Sequence, residues 1–122
     1  MKSLLKISFF SFFTFLYVNN TQAQEEPADT VLIVNGVCEM CQRTIEKAAL
    51  NTKGVEKASW NVHTKVLSLS YDPQKISLEK ISENIAKSGY DTEFIAATEE
   101  DYYKLHKCCY YRDPAVVESH KE

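Results

Sequence analysis

Four cysteines in two close pairs are the residues of this sequence best suited to chemistry. Cys38 and Cys41 are separated by two residues, and Cys108 and Cys109 are adjacent, far downstream. Thiolates are soft ligands that select Cu(I), Zn(II) and heavier thiophilic ions such as Hg(II). Structural Zn(II) sites have four ligands, and two sulfurs supply only half of them. Cys38 and Cys41 therefore favour Cu(I) over Zn(II). The same spacing occurs in thiol–disulfide redox proteins, so the motif alone does not separate metal binding from redox chemistry.

Residues around these pairs are further candidate ligands. His106 closely precedes Cys108 and Cys109, so the three side chains are able to complete the first site or to hold a second ion. The alternative is that this segment is fixed to the domain by a disulfide to the first pair or by the packing of nearby tyrosines. Adjacent cysteines bonded to each other form only a strained, labile disulfide. Met40 offers a weak thioether ligand, but we expect it to fill the core beneath its loop, as flexible methionines often do.

The first 23 residues predict a secretory signal peptide. Lys2 and Lys6 precede an apolar run over residues 7–18, and small residues stand at positions −3 and −1 of a cleavage after Ala23. The apolar run is too short to cross about 30 Å of hydrocarbon, which argues against a membrane anchor. We therefore expect a soluble, secreted protein, placed in the periplasm, with no membrane span after removal of the signal.

The composition of the remaining chain excludes some partners. The first 23 residues hold two of the 14 Lys and Arg and none of the 17 Asp and Glu, so the rest carries 12 basic and 17 acidic groups, a net charge of −5. Nucleic-acid binding depends on clustered Lys and Arg, and this balance argues against it.

In an oxidising compartment four cysteines form two disulfides by default. Bonds within each pair would close almost no loop and stabilise little, which leaves bonds between the pairs as the structural alternative.

Patterning along the chain predicts one α+β domain over residues 30–97, after a flexible linker at 24–29. Its elements follow the order strand, helix, strand, strand, helix, strand, which is the split βαβ pattern of a ferredoxin-like sandwich. The predicted strands cover 30–34, 57–62, 66–71 and 92–96, and the helices run over 41–50 and from the N-cap Ser77 to Gly89. A C-terminal extension over 98–122 follows, with a short capped helix at 98–105 that leads to the second cysteine pair and a tail expected to be frayed.

Residues 34–46, which read VNGVCEMCQRTIE, resemble the metal-binding loop and first helix of heavy-metal-associated domains. This family includes copper-chaperone-like and mercury-binding-protein-like modules, and the resemblance covers residues 30–96. It implies a ferredoxin-like fold, a Cu(I) or similar soft ion held by Cys38 and Cys41, and transfer by thiolate exchange to a partner such as a transporter or efflux protein. It also implies that Tyr90 lies in the loop that faces the site.

One position departs from the family pattern. Members usually carry a buried Met two residues before the first cysteine, where this sequence has Gly36. An exported subgroup with Gly-x-Cys-Gly-Met-Cys loops and a later Cys-Cys pair is similar to this chain in that respect. We therefore expect an exported Cu(I) carrier or buffer that is not an enzyme. The alternatives are a zinc or broader heavy-metal scavenger that uses all four cysteines, or a redox protein, although no Trp precedes Cys38 and the order of elements is not that of thioredoxins.

Overall fold

The structure is a computed structural model that describes residues 26–121, so the predicted signal peptide lies outside the described residues. Its centre is an antiparallel sheet in the order β1-β3-β2, built from β1 (Ala28–Ile33), β2 (Val55–Trp60) and β3 (Val66–Tyr71). Because β1 begins at Ala28, the prediction of a linker reaching residue 29 is wrong by two residues. The ladder with β3 starts there, with Ala28 opposite Tyr71.

Two helices, α1 (Glu39–Leu50) and α2 (Leu78–Lys87), cover one face of the sheet. Alternation along β1 places Leu32 in the core while its neighbours Val31 and Ile33 are 60% and 48% exposed on the opposite face. The fully buried core residues come from both layers and include Leu32, Leu67, Ile45, Ile81 and Ile85. The α+β sandwich predicted from the sequence is therefore confirmed.

Local signals define the ends of α2 as predicted. The Ser77 hydroxyl accepts the amide hydrogen of Lys80 at 3.1 Å, which satisfies one of the free donors at the helix start. Gly89 follows the helix with φ of +102°, in the region that favours glycine. A side chain there would also lie 2.9 Å from the Asp101 carbonyl oxygen, so glycine is required for the close approach of the next segment.

The prediction of a fourth strand over 92–96 is wrong. Among residues 26–121, a single isolated antiparallel bridge takes its place, between Val34 and Thr92, flanked by a hydrogen bond from the Asn35 amide to the Asp91 carbonyl at 2.9 Å. The Thr92 hydroxyl accepts the amide hydrogens of Phe94 at 3.3 Å and Ile95 at 3.0 Å. These bonds curl the chain into a turn and carry it away from β1 after the bridge.

The C-terminal extension is ordered and docked, so the prediction of a frayed tail is wrong. It comprises α3 (Glu99–Tyr102), a 3₁₀ turn (Lys107–Cys109) and α4 (Pro114–Ser119). The Thr98 cap was predicted correctly, since its hydroxyl accepts from the Asp101 amide at 3.2 Å, but α3 ends earlier than residue 105. Two valines of α4, Val116 and Val117, pack against the core of the domain.

Aromatic and polar contacts attach the extension to the loop that follows α2. Tyr102 is buried and its ring lies 5.1–5.2 Å, between centroids, from those of Tyr103, Tyr110 and Tyr111. The Tyr111 hydroxyl donates to the Gly89 carbonyl at 2.7 Å and accepts from the Asp91 amide at 2.9 Å. These contacts bring the second cysteine pair to the loop between β1 and α1.

Within residues 26–121, none of the helices has the length and apolar character that crossing a bilayer requires.

Candidate metal centre

The first cysteine pair lies where β1 passes into α1. Cys38 is the N-cap residue, with extended backbone at φ −150° and ψ 176°, and Cys41 is fully buried in the first turn of the helix. Their sulfurs are 3.5 Å apart. The free N–H groups and the positive end of the helix dipole favour thiolates at this position. The sequence-predicted pair therefore converges on one point.

Cys109 brings a third thiol to the same point. Its sulfur is 3.8 Å from that of Cys38, and the sulfurs of Cys38, Cys41 and Cys109 all lie within 4.8 Å of one another. We call these three residues the inner trio. With metal–thiolate bonds of about 2.3 Å, sulfurs are about 4.0 Å apart around a planar three-coordinate ion and about 4.6 Å apart across a linear one. The spacing in the inner trio therefore suits three-coordination better than linear two-coordination.

The other candidate ligands lie outside the inner trio. Cys108 is exposed, and its sulfur is 3.9 Å from that of Cys109 and 4.0 Å from the Met40 thioether. Met40 is 43% exposed, so the prediction that it fills the core is wrong. His106 is exposed and stands at the start of the 3₁₀ turn, where its carbonyl accepts the Cys109 amide hydrogen at 2.8 Å. Its ring does not belong to the group of close ligand atoms found in the described part of the chain.

Trp60 fills the space beside the loop and explains the glycine at position 36. A Cβ on Gly36 would lie 2.9 Å from the Trp60 ring and 3.1 Å from the Cβ of Cys41. The indole N–H donates to the Val34 carbonyl at 3.0 Å, which holds the ring in place at the end of β2. Because this ring occupies the core beneath the loop, Met40 is left on the surface. Sequence patterning placed Trp60 in a strand but did not indicate that its ring packs against the cysteine loop. The available signal was that the sequence has one Trp and has a Gly, at position 36, in that loop.

The Cys41 and Cys109 thiols differ in how readily they ionise. Burial opposes ionisation of Cys41, but hydrogen bonds from the Val37 amide, at 3.5 Å, from Tyr90 and from the Cys38 amide outweigh it and lower the pKa of this thiol. Burial, followed by the influence of Cys41 and Cys38, raises the pKa of the Cys109 thiol. Cys41 is therefore the first of the two to become a thiolate and Cys109 the later one, because a second negative charge beside the first is costly. A bound cation would offset that cost.

Two further side chains shape the electrostatics of the site. Tyr90 is buried, stacks on Tyr111 with ring centroids 5.7 Å apart, and has its pKa raised by burial and by Cys41 and Cys109. It thus lies where the family resemblance implied. Lys65, in the turn between β2 and β3, has its pKa lowered by burial, and the charges of Cys41 and Cys38 oppose that shift. Lys65 falls in the short connection between the predicted strands 57–62 and 66–71, and nothing in the sequence pattern indicated its place beside the thiols.

The fold and the site together define a class of protein: a small ferredoxin-like domain that displays a thiol cluster at a strand-to-helix loop. The chain belongs to the family of the heavy-metal-associated domain, whose family model matches residues 31–91. The match ends before Cys108 and Cys109, so the third thiol of the inner trio comes from outside the family domain.

Known relatives agree with this assignment. The chain is 33% identical over 61 residues to a copper-exporting P-type ATPase of Staphylococcus saprophyticus, a match that covers 50% of this chain and 8% of the ATPase. It is 30% identical over 64 residues to the copper chaperone CopZ of Staphylococcus epidermidis, covering 52% of this chain and 94% of the chaperone. A solved CopZ metallochaperone structure superposes with a TM-score of 0.52 at 30% identity, covering 53% of this chain and 98% of that one. The domain fold is ferredoxin-like, and the chain spans only a small part of the ATPase.

Proposed function

We propose that this protein binds Cu(I) through Cys38, Cys41 and Cys109 and carries or buffers it by thiolate exchange. The observation that carries the proposal is the convergence of three sulfurs within 4.8 Å in a heavy-metal-associated domain. Soft thiolates favour Cu(I), and the sulfur spacing suits a three-coordinate ion. The names of the relatives, a copper chaperone and a copper-exporting ATPase, support copper as the ion. The protein acts as a carrier and not as an enzyme.

Cys109 gives the exchange reaction a defined leaving group. A partner thiolate attacks the bound ion, a new copper–sulfur bond forms, and the bond to Cys109 breaks. The released Cys109 thiolate takes up a proton from solvent, which its raised pKa favours. The ion stays Cu(I) throughout, so the step needs no oxidant or reductant. Cys38 and Cys41 leave in later steps of the same kind.

The partner in this proposal is a metal-exchanging transporter or efflux protein. The relationship to a domain of a copper-exporting ATPase supports it, because related domains on carrier and recipient offer each other similar ligands. The N-terminal pattern of Lys2 and Lys6, an apolar run and a small-residue cleavage site supports secretion into the periplasm.

A zinc or broader heavy-metal site made of all four cysteines is the less favoured candidate. Zn(II) in structural sites takes four ligands in a tetrahedron. Cys108 would have to supply the fourth, but its sulfur lies outside the inner trio, on the exposed side next to Met40. The trio alone leaves a tetrahedral ion incomplete, whereas it satisfies three-coordinate Cu(I).

The test is anaerobic titration of the reduced protein with Cu(I) and Zn(II) against a competing chelator. Cys38→Ser/Cys41→Ser is expected to abolish tight Cu(I) binding, and Cys109→Ser to weaken it by at least about tenfold, because each removes resident ligands. His106→Ala is the control and is expected to leave the affinity unchanged, since its ring lies outside the inner trio. Unchanged Cu(I) affinity in Cys38→Ser/Cys41→Ser, or tight Zn(II) binding with Cu(I) ignored, would overturn the proposal.

A further inference from the structure

We propose that Met40 and Cys108 form a second, outer site for a soft monovalent ion, which shares Cys109 with the inner trio and passes ions to it. The inference rests on the proposed function, because the outer site feeds the Cu(I) site formed by the trio. Its ligands are one thioether and one thiolate, with the Cys109 sulfur within bridging reach.

The distances suit such a site. The Cys108 sulfur lies 4.0 Å from the Met40 thioether and 3.9 Å from the Cys109 sulfur. Both values are close to the spacing of about 4.0 Å expected around a three-coordinate ion with bonds of about 2.3 Å. The two outer ligands come from different elements, the first turn of α1 and the 3₁₀ turn, so their approach depends on the docking of the extension.

Burial does not hold the Met40 side chain in its position beside Cys108. Large apolar side chains are ordinarily stabilised by burial, yet Met40 is 43% exposed. Its backbone is held by α1, and the Met40 carbonyl accepts a hydrogen bond from the Thr44 hydroxyl at 3.1 Å. On the other side, the His120 ring is 3.0 Å from the Cys108 carbonyl and holds the end of α4 against the 3₁₀ turn. While the extension is docked, both sulfurs are therefore carried by hydrogen-bonded backbone and need little reorganisation to bind an ion.

The chemistry of this pair selects the ion. A thioether and a thiolate are both soft, and they discriminate against Mg²⁺ or Ca²⁺, which require oxygen ligands. One thiolate neutralises one Cu⁺ or Ag⁺, so the loaded outer site carries no net charge where it meets solvent.

The five sulfurs form a continuous path from solvent to the core. Successive gaps are 4.0 Å from Met40 to Cys108, 3.9 Å to Cys109, 3.8 Å to Cys38 and 3.5 Å to Cys41. The outer pair at the start of this path is exposed and Cys41 at its end is fully buried; between them, Cys109 is buried and Cys38 is half-buried. An ion can move inward by exchanging one metal–sulfur bond at a time, and it remains bound to sulfur at each step.

The experiment counts bound ions. The reduced protein is titrated anaerobically with Cu(I) in competition with a chelator, and two equivalents are expected for the unaltered chain. Met40→Leu keeps the volume and removes the thioether, and it is expected to lose the second equivalent while the first still binds. Cys108→Ser is expected to give the same loss.

A matched control moves the thioether instead of removing it. Leu50 lies on the same helix and is 47% exposed, so Met40→Leu/Leu50→Met presents an equally accessible thioether far from the cysteines. This variant is expected to bind one ion. One equivalent in the unaltered chain, two in Met40→Leu, or recovery of the second in the control would overturn the outer site while leaving the proposed function intact. Absence of any tight Cu(I) binding by the unaltered chain would instead overturn the proposed function.

Discussion

The domain and the C-terminal extension bring thiols to the same point but hold them in different ways. In the domain, Cys38 caps α1 and Cys41 lies in its first turn, directly after β1. The inward side chains Leu32 of β1 and Ile45 of α1 are fully buried. In the extension, Cys109 lies in a 3₁₀ turn between two short helices of four and six residues. Contacts between tyrosine rings and the ion pair of Arg112 with Asp91 hold that segment against the domain.

The Arg112–Asp91 contact is the clearest polar attachment of the extension. The guanidinium donates to both carboxylate oxygens, at 2.6 and 3.2 Å, and to the Ala97 carbonyl at 2.7 Å, and it lies 4.5 Å from the centre of the Tyr102 ring. The side chains of the pair are 32% and 19% exposed, so water weakens it. Segments held by such contacts open locally before the core does. The Cys109 thiol is thus on a segment that is expected to open more readily than the domain core, which is consistent with the proposed release of an ion.

The largest expected effect comes from the domain core. Ile45→Ala should lower the free energy of unfolding by about 2–5 kcal/mol, because it leaves a cavity where α1 meets the sheet. Urea denaturation measures the change. Leu50→Ala on the same helix is the control, and it should cost far less because Leu50 is 47% exposed. Equal losses in the two variants would show that α1 is not fixed by the core, and the contrast between the two regions would fail.

Arg112→Ala should make the extension open more often while the domain stays folded. Loss of the charge-assisted contacts, discounted for exposure, corresponds to roughly 1–2 kcal/mol, or about 5- to 30-fold more frequent opening. Alkylation followed by mass spectrometry should show faster labelling of Cys109 by that factor and little change at Cys38. Arg43→Ala, which removes an exposed arginine from α1, should change neither rate. Equal acceleration at Cys38 and Cys109 would mean that the two regions open together.

The smallest effect is expected where the two regions meet, at Tyr90. This side chain helps to lower the pKa of Cys41, so Tyr90→Phe removes a stabilising contact from the thiolate and should raise that pKa. The thiolate absorbance in the ultraviolet, followed against pH in the metal-free reduced protein, should therefore rise at higher pH than in the unaltered chain. Tyr103→Phe, at a ring that is 62% exposed, is the control. A profile unchanged or displaced to lower pH would remove Tyr90 from the electrostatics of the site.

Much of the domain could be predicted from local patterns. Caps and turns depend on residues a few positions apart, so Ser77, Gly89 and Thr98 were assigned correctly as helix boundaries. Cys38 and Cys41 were placed where the first strand passes into the first helix in the same way, because the strand pattern of 30–34 and the helix pattern of 41–50 lie on either side of the loop. The same local reasoning wrongly predicted a fourth strand over 92–96. The residues there have a β pattern, but the Thr92 hydroxyl accepts the Ile95 amide hydrogen and the chain turns instead.

The sequence by itself determined the order of the first five elements, from β1 to α2, and the position of the first thiol pair. Only the tertiary structure decided that Cys109 joins that pair from 71 residues away and that Met40 stays at the surface. Contacts at that separation depend on which side chain fills which space. Here the Trp60 ring takes the volume beneath the loop, and Tyr111 and Arg112 dock the extension against the residues after α2. Periodicity reports which face of an element is buried, but it carries no information about which distant segment packs against it.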